Sequence, residues 1–305
     1  ELKKGKKFSD LVNNPLLAKE ITLQPIKRFD YDAAIVFSDI LVIAEMMGIN
    51  YDVQDKGGVK LDFELSYNSD LKKIKNKDIE YKNNTPEAIK LIAEEIQGKK
   101  AIIGFAGSPW TLASYMIEGG SSKDNLKSRA IINDNPLLLE DLLDRITDKT
   151  ISYLDDQIDA GADVIQLFDS QGGTLCNYDY WKVSGKWMKK IIDHLGKKAP
   201  FIIFGRGVHQ NWEDLINTGA NALSIDWNIN IRKTANLLPK NIAIQGNLDP
   251  AILTTNDDKA ITATKLILDE MKGRNGFIFN LGHGVPPNAK IDTIAAVADT
   301  VKNYL

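Results

Sequence analysis

The sequence predicts an α/β barrel of parallel strands, and three observations carry that prediction. Seven short apolar runs recur along the 305 residues, at Ala33 to Asp39, Ala101 to Ala106, Asp163 to Asp169, Phe201 to Arg206, Ala222 to Asp226, Ile242 to Asn247 and Phe277 to His283. Stretches with apolar residues at three- and four-residue spacing lie between them, so strand and helix alternate, as in a parallel sheet with helical crossovers. The runs end in polar or glycine-containing clusters, which a parallel barrel gathers at the carboxyl ends of its strands, around one mouth. An eight-stranded barrel needs one strand beyond these seven. The expectation is therefore a (β/α)8 TIM barrel, one domain over 1–305, with its first strand missing or incomplete.

The first run, Ala33-Ala34-Ile35-Val36-Phe37-Ser38, delivers Asp39 into apolar Ile40-Leu41-Val42-Ile43. A carboxylate there either caps a following helix or, partly buried, calls for a ligand rich in N–H donors. Tyr51 to Tyr67, with Gly57-Gly58 between short alternating segments, breaks the strand–helix rhythm and reads as a hairpin inserted over one barrel end. A helical pattern fills Thr85 to Gln97. After the second run, Gly107-Ser108-Pro109-Trp110-Thr111-Leu112 opens a helix with Pro109 in its first turn, and Tyr115 falls on that helix near the mouth. Asp134 or Asn135 before Pro136 signals the start of a further helix continuing to Ile151.

Asp169-Ser170 ends the third run, and Gln171-Gly172-Gly173 makes a tight turn that exposes the Ser170 hydroxyl. The Gly-x-Ser-x-Gly spacing of a hydrolase elbow is absent, which disfavours a nucleophilic serine. Gly205-Arg206-Gly207 with Asp226 downstream lacks the third glycine of a dinucleotide fingerprint, so Arg206 reads instead as a partner for carboxylate or phosphate. Helical patterns follow at Trp212 to Asn217, Ile231 to Leu238, Asp257 to Lys272 and Asp292 to Val301. Gly246-Asn247-Leu248-Asp249-Pro250 is a turn in which Asn247 and Asp249 organise backbone. Of three histidines, His283 lies between two glycines at the end of the last run and reads as a site residue, His194 as solvated and His209 as a rim residue.

A hydrophobic content of 43% over this length supports one large core, and barrels of this class commonly run to roughly 250 residues. The 38 basic and 41 acidic residues leave a net charge of -3, so no overall field draws the chain to nucleic acid. The local basic runs Lys3, Lys4, Lys6, Lys7 and Lys72, Lys73, Lys75, Lys77 read as solvated faces. No stretch approaches the roughly 20 apolar residues of a bilayer crossing, and no secretory pattern occurs, so the expectation is a cytoplasmic chain with no membrane partner. The single cysteine, Cys176, forms no internal disulfide and supplies no paired thiolates for structural zinc.

Six strings occur in one order across nearly the whole chain: Phe37-Ser38-Asp39-Ile40-Leu41-Val42, Gly104-Phe105-Ala106-Gly107-Ser108-Pro109-Trp110-Thr111-Leu112, Tyr115-Met116-Ile117-Glu118-Gly119, Phe168-Asp169-Ser170, Ile244-Gln245-Gly246-Asn247-Leu248-Asp249-Pro250 and Asn280-Leu281-Gly282-His283-Gly284. Together they closely resemble the uroporphyrinogen decarboxylase family of haem biosynthesis. The resemblance implies a single-domain (β/α)8 barrel, usually a homodimer, with its cleft at the carboxyl ends of the strands. It implies that Asp39 accepts hydrogen bonds from the pyrrole N–H groups of a domed tetrapyrrole, uroporphyrinogen. It further implies that Tyr115, Ser170 and His283 contact substrate carboxylates or the reacting acetate, and that Phe37 and Phe168 pack against the macrocycle. Asp39, Tyr115 and His283 are then the candidate catalytic residues, and Arg206 joins the substrate-binding set on its own chemistry. The implied reaction converts four acetates to methyl groups with neither metal nor cofactor, because a protonated pyrrole is itself the electron sink.

Two departures from the family pattern bear on these expectations. The family's amino-terminal Met-Arg-Gln-Ala-Gly-Arg motif, whose arginines bind carboxylates and are candidate proton donors, would precede Glu1. The expectation is that it belongs to an upstream piece with the first strand, and that the chain as given binds substrate poorly and turns over slowly or not at all. Ser170 is followed by Gln171-Gly172 where many members have Trp-Ala. Two further readings stand beside the resemblance: a zinc-dependent methyltransferase on the same barrel, which needs histidine and cysteine ligands together, and a non-catalytic tetrapyrrole-binding protein.

Overall fold

The computed structural model describes residues 5–54, 57–66, 70–74 and 84–304. Lys3 and Lys4 of the first basic run, Lys75 and Lys77 of the second, and Tyr67 at the end of the expected hairpin lie outside the described residues. The strands in chain order are β1 (Ala33–Ile35), β2 (Tyr51–Val53), β3 (Val59–Leu61), β4 (Ala101–Gly107), β5 (Val164–Asp169), β6 (Phe201–Gly205), β7 (Ala222–Ser224), β8 (Ala243–Leu248) and β9 (Phe277–Leu281). Seven of them form one parallel sheet in the order β1-β4-β5-β6-β7-β8-β9, while β2 and β3 pair antiparallel by themselves.

The sheet curls. Gln245 on β8 donates Nε2–H to Gln166 Oε1 on β5 at 3.1 Å, and also to Ser224 Oγ on β7 at 2.9 Å, although β5 and β8 are separated by two strands. Only a concave sheet brings such side chains together. The pairing register carries the same inward face to the two edges, through Phe105 opposite Gln166 and Ile35 opposite Ile103 on one side, and Ile278 opposite Gln245 on the other. Ile35 and Ile278 are 43% and 42% exposed, because β1 and β9 do not pair with each other. The result is a half-barrel whose inner wall is open along one seam.

Helices cover the outer face, as continuous burial of strands such as Phe201–Gly205 requires. Their starts follow the local signals. Asn14 accepts Leu16 and Leu17 N–H at 3.1 Å each to open Pro15–Phe29, Ser108 accepts Thr111 N–H at 3.1 Å to open Pro109–Glu118, and Asn135 accepts Leu138 N–H at 3.2 Å to open Pro136–Asp159. Asn84–Ile96, Trp212–Asn217, Ile231–Leu237, Asp257–Met271 and Ile291–Lys302 match the expected helices to within a residue or two. Lys302 Nζ reaches Asp30 Oδ2 at 2.8 Å, tying the last helix to the end of Pro15–Phe29.

β1 is shorter than the first apolar run. Val36 N–H still reaches Ile103 O at 3.1 Å, but Phe37 N–H turns away to Thr22 Oγ1 at 2.9 Å, which ends the ladder and leaves Asp39 on the following loop. The hairpin is present: β2 and β3 are joined at Gln54, whose N–H bonds Gly58 O at 3.0 Å. It rests against the end of the Pro109–Glu118 helix, with Leu61 N–H on Gly119 O at 3.0 Å and Ser121 N–H on Val59 O at 2.8 Å.

Candidate active site

Asp39 emerges where the chain leaves β1. Its Oδ1 accepts Leu41 N–H at 2.7 Å, an Asx-type turn, and among the described residues no other hydrogen bond reaches this carboxylate. Burial raises its pKa, opposed by the Leu41 N–H. Beneath it, Ser38 Oγ lies 2.9 Å from Thr85 Oγ1, and the fully buried Tyr153 donates to Thr85 Oγ1 at 3.1 Å, its phenol pushed up to about 12 by burial. The Phe37 ring meets Phe8 edge-on at 5.6 Å.

Tyr115 is carried to the mouth by Pro109–Glu118 and stands half-buried. Burial raises its pKa, and the charge of Asp39 raises it further. The polar side chains of Gln171 and Ser121 and the positive field of Arg206 act in the opposite sense. Asp39, Tyr115 and Arg206 therefore share one electrostatic neighbourhood although they come from three separate segments, the loops after β1 and β6 and the Pro109–Glu118 helix.

The end of β5 is anchored by a buried carboxylate. Asp169 accepts Ser108 Oγ at 2.6 Å and Thr111 Oγ1 at 3.4 Å on one oxygen, and Tyr180 OH at 2.8 Å and Ser184 Oγ at 3.0 Å on the other. Burial pushes its pKa up and these hydroxyls pull it down. The turn after it packs so closely that a Cβ on Gly172 would collide with Asp169 Oδ2. Ser170, the next residue after Asp169, is half-buried, and among the described residues its hydroxyl has no partner.

Aromatic rings line the inner wall beside these polar groups. Phe168 meets Phe105 at 5.6 Å and Phe204 at 6.0 Å, and the His283 ring meets Phe204 at 6.0 Å and Trp227 at 5.7 Å, all edge-on. His283 is exposed at the mouth but flanked by these two rings. Burial lowers its pKa first and the Arg206 charge lowers it further, against the opposing effect of Asp226. Gly282 is required where it is, because a Cβ there would run into the backbone of Trp227. Asp226 is 2% exposed and fixes the neighbouring loops, accepting Gly207 N–H at 3.0 Å and Trp227 N–H at 2.9 Å.

The family model for uroporphyrinogen decarboxylase (URO-D) matches residues 1–304. The chain belongs to the uroporphyrinogen decarboxylase family. It is 40% identical over 291 residues to uroporphyrinogen decarboxylase from Hydrogenovibrio crunogenus, covering 93% of this chain and 82% of that one. It is 36% identical over 303 residues to the enzyme of the same name from Ruthia magnifica, covering 97% of this chain and 87% of that one. Among solved structures, a methyltransferase from Methanosarcina mazei superposes with a TM-score of 0.79 at 20% identity, over 98% of this chain and 88% of that one. A B12-independent methionine synthase from Shewanella superposes with a TM-score of 0.63 at 13% identity, over 96% of this chain and 89% of that one, and both likenesses speak for the fold alone.

Of the residues singled out in the sequence of this family member, the structure brings Asp39, Tyr115, Arg206 and His283 into one polar region and places Phe168 on its aromatic wall. Phe37 packs on Phe8, at the Asp39 side. His194 is exposed on the Lys186–Leu195 helix, while the imidazole Nδ1 of His209 is buried without a partner. Gly246 to Leu248 do not form the expected turn but are the last residues of β8, paired with β9; Asn247 organises backbone from within the strand, donating to Asp226 O at 2.7 Å and Ile229 O at 2.8 Å, and Asp249 accepts Ala251 N–H at 2.9 Å. Cys176 is exposed, with Sγ on Asp179 Oδ2 at 2.9 Å, and among the described residues no three His, Cys, Asp or Glu side chains gather in a metal-holding group. No helix among the described residues is long and apolar enough to cross a membrane. Sequence reasoning missed Phe105, Phe204 and Trp227 as wall residues and Asp169 and Asp226 as anchors. The one usable signal was their position at or just beyond strand ends.

Proposed function

We propose that this chain removes carbon dioxide from the four acetate side chains of uroporphyrinogen III to give coproporphyrinogen III, with no cofactor. The observation that carries the proposal is the Asp39 carboxylate, which accepts one hydrogen bond, from Leu41 N–H, and whose charge acts on the Tyr115 phenol, in a half-barrel whose inner wall carries Phe168, Phe204 and His283. A macrocycle with four convergent pyrrole N–H donors complements a partly desolvated acceptor above an apolar wall.

On this reading the chemistry proceeds at the pyrrole. A proton adds to the ring α-carbon next to the carbon bearing the acetate, so the ring becomes an iminium-like cation conjugated with the acetate-bearing carbon. The C–CO2 bond then breaks, its electron pair flows into the ring to form an exocyclic methylene, protonation of that methylene gives methyl, and loss of the proton first added to the α-carbon restores the pyrrole. Asp39 stabilises the developing positive charge, and the low-dielectric surroundings that raise its pKa also strengthen that attraction. Tyr115, Ser170 and Arg206 hold carboxylates, Arg206 through its planar fork of donors. His283 is held towards its neutral form by the flanking rings and by Arg206, and serves as a hydrogen-bonding contact to the acetate. Phe37 and Phe168 pack against the macrocycle.

The same reading takes 1–305 as one barrel domain, since its candidate residues come from β1 through the loop after β9. It also takes the chain to work as a homodimer in the cytoplasm, where the lone exposed Cys176 fits a reducing environment. The open seam, with Ile35 and Ile278 uncovered, supports an eighth strand whose loop supplies further carboxylate-binding groups, and predicts slow turnover without it. The test is anaerobic incubation with uroporphyrinogen III, comparing the chain as given with one extended upstream by the family's arginine-bearing segment, and resolving oxidised products by carboxylate number. Products with seven down to four carboxylates from the extended chain are expected. No decarboxylated product from either chain would overturn the assignment.

A further inference from the structure

Two loops that carry candidate site residues meet on one buried carboxylate just beyond β7. Asp226 Oδ2 accepts Gly207 N–H at 3.0 Å, and its Oδ1 accepts Trp227 N–H at 2.9 Å. Asp226 is 2% exposed and among the described residues forms no ion pair, so these backbone N–H groups are what offset the cost of burying its charge. The main chain beneath it is fixed from β8, because Asn247 Nδ2 donates to Asp226 O at 2.7 Å and to Ile229 O at 2.8 Å. A carboxylate accepts at both oxygens, whereas an amide of the same shape accepts at one end and donates at the other. The acid therefore holds both N–H groups at once.

Each held N–H belongs to a segment that serves the mouth. Gly207 follows Arg206, whose N–H donates to Asp169 O at 3.3 Å and whose carbonyl accepts Gly173 N–H at 2.9 Å. The peptide between Arg206 and Gly207 is therefore engaged on both sides, by the turn after β5 and by Asp226. Arg206 itself is exposed, and among the described residues its guanidinium has no partner. On the other arm, the Trp227 backbone lies so close to Gly282 that a Cβ there would collide with Trp227 N, and the indole meets the His283 ring edge-on at 5.7 Å. His283 thus leans on Trp227, and Trp227 is held by Asp226.

We propose that Asp226 is a positioning residue that holds Arg206 and His283 in fixed relation, gripping the Arg206 loop through Gly207 N–H and the platform under His283 through Trp227 N–H. It touches no substrate and acts through these two side chains, which meet substrate carboxylates from rigid bases. What they bind rests on the proposed function, whereas the joining of the two loops does not.

Two measurements test the assignment, and the first needs no activity. Arg206-Gly207 and Asp226-Trp227 are the only Arg-Gly and Asp-Trp pairs in the sequence, so carbon-13 carbonyl labels on arginine and aspartate, with nitrogen-15 on glycine and tryptophan, single out the Gly207 and Trp227 amides. In the ligand-free chain, Asp226→Ala leaves both N–H groups without their acceptor, and both are expected to exchange with solvent about tenfold faster than in the parent. The His283 ring signal, assigned by its loss in His283→Gln, is expected to shift while that of His194 stays. Asp226→Asn keeps the shape and serves if the alanine variant does not fold; it turns a donor onto one of the two N–H groups, which then exchanges faster. Unchanged exchange at both amides overturns the proposal, as does an unmoved His283 signal in the alanine variant.

The second measurement is turnover of uroporphyrinogen III by the upstream-extended chain. Asp226→Asn is expected to lower kcat/KM about tenfold, in line with the loss of one oriented hydrogen bond. In a background of Arg206→Gln with His283→Gln, the same substitution is expected to change kcat/KM by less than about twofold, because the groups Asp226 serves are already gone. A merely structural role would cost the same in both backgrounds, and equal losses overturn the proposal. Faster amide exchange and a moved His283 signal, with no turnover in the upstream-extended parent, bear out the positioning and count against the decarboxylase assignment alone.

Discussion

Asp169→Ala removes the acceptor shared by Ser108, Tyr180 and Ser184, whose hydroxyls stand 2.6, 2.8 and 3.0 Å from its carboxylate. All four residues are 0% exposed, so no water replaces the lost partner. Hydrogen bonds to a charged group contribute roughly 1.5–3 kcal/mol each, or about 4.5–9 kcal/mol for three. Against this stands the cost of burying the carboxylate, several kcal/mol. The balance is a loss of about 3–5 kcal/mol, which lowers the melting temperature by roughly 6–10 °C in a chain of this size. Asp169→Asn keeps one acceptor and most of the shape, and its loss is expected at about 1–2 kcal/mol. Calorimetric and urea unfolding of the three proteins at neutral pH measure these differences. An alanine variant within about 0.5 kcal/mol of the parent would refute the claim that this network anchors the turn carrying Ser170 and Gln171.

Three further outcomes are expected. Gly282→Ala drives a Cβ into the backbone of Trp227 and displaces His283; unfolding is expected to show a loss of about 1–3 kcal/mol, together with reduced turnover in the product assay. Tyr153→Phe deletes the hydroxyl that bonds Thr85 at 3.1 Å and lies 3.4 Å from Ser38, costing about 1 kcal/mol of stability by urea titration. His283 has a folded pKa below its ordinary value, so the unfolded chain binds its proton first, and the parent loses stability as pH falls from about 6.5 through the lower folded value. Urea unfolding at pH 7.5, 6.5 and 5.5 is expected to show a shallower slope for His283→Gln than for the parent, and identical slopes would contradict this.

The elements were legible because their signals are local. Apolar runs of strand length and prolines at first turns placed most strands and helices to within a few residues; β1 was ended early by a bond from Phe37 N–H to Thr22 that no local pattern announces, and the helix expected to reach Ile151 runs on to Asp159. Asp39 and His283 stood out because a carboxylate and an imidazole at strand ends are conspicuous. The anchors were not legible. Asp169 draws its donors from Ser108, Tyr180 and Ser184, which lie apart in the chain, and only the parallel register of β4 and β5 brings the first of them beneath the turn. Phe105 and Phe204 read as ordinary core, because which face of a strand points inward depends on the curl of the sheet.

The most direct test of the central claim counts carbon dioxide. With uroporphyrinogen III labelled in its acetate carboxyl carbons, the upstream-extended chain is expected to release four equivalents per macrocycle, and Asp39→Asn, which keeps the shape and removes the charge, to release them about a hundred- to a thousandfold more slowly. Release at the parental rate from Asp39→Asn, or none from the parent, would contradict the account.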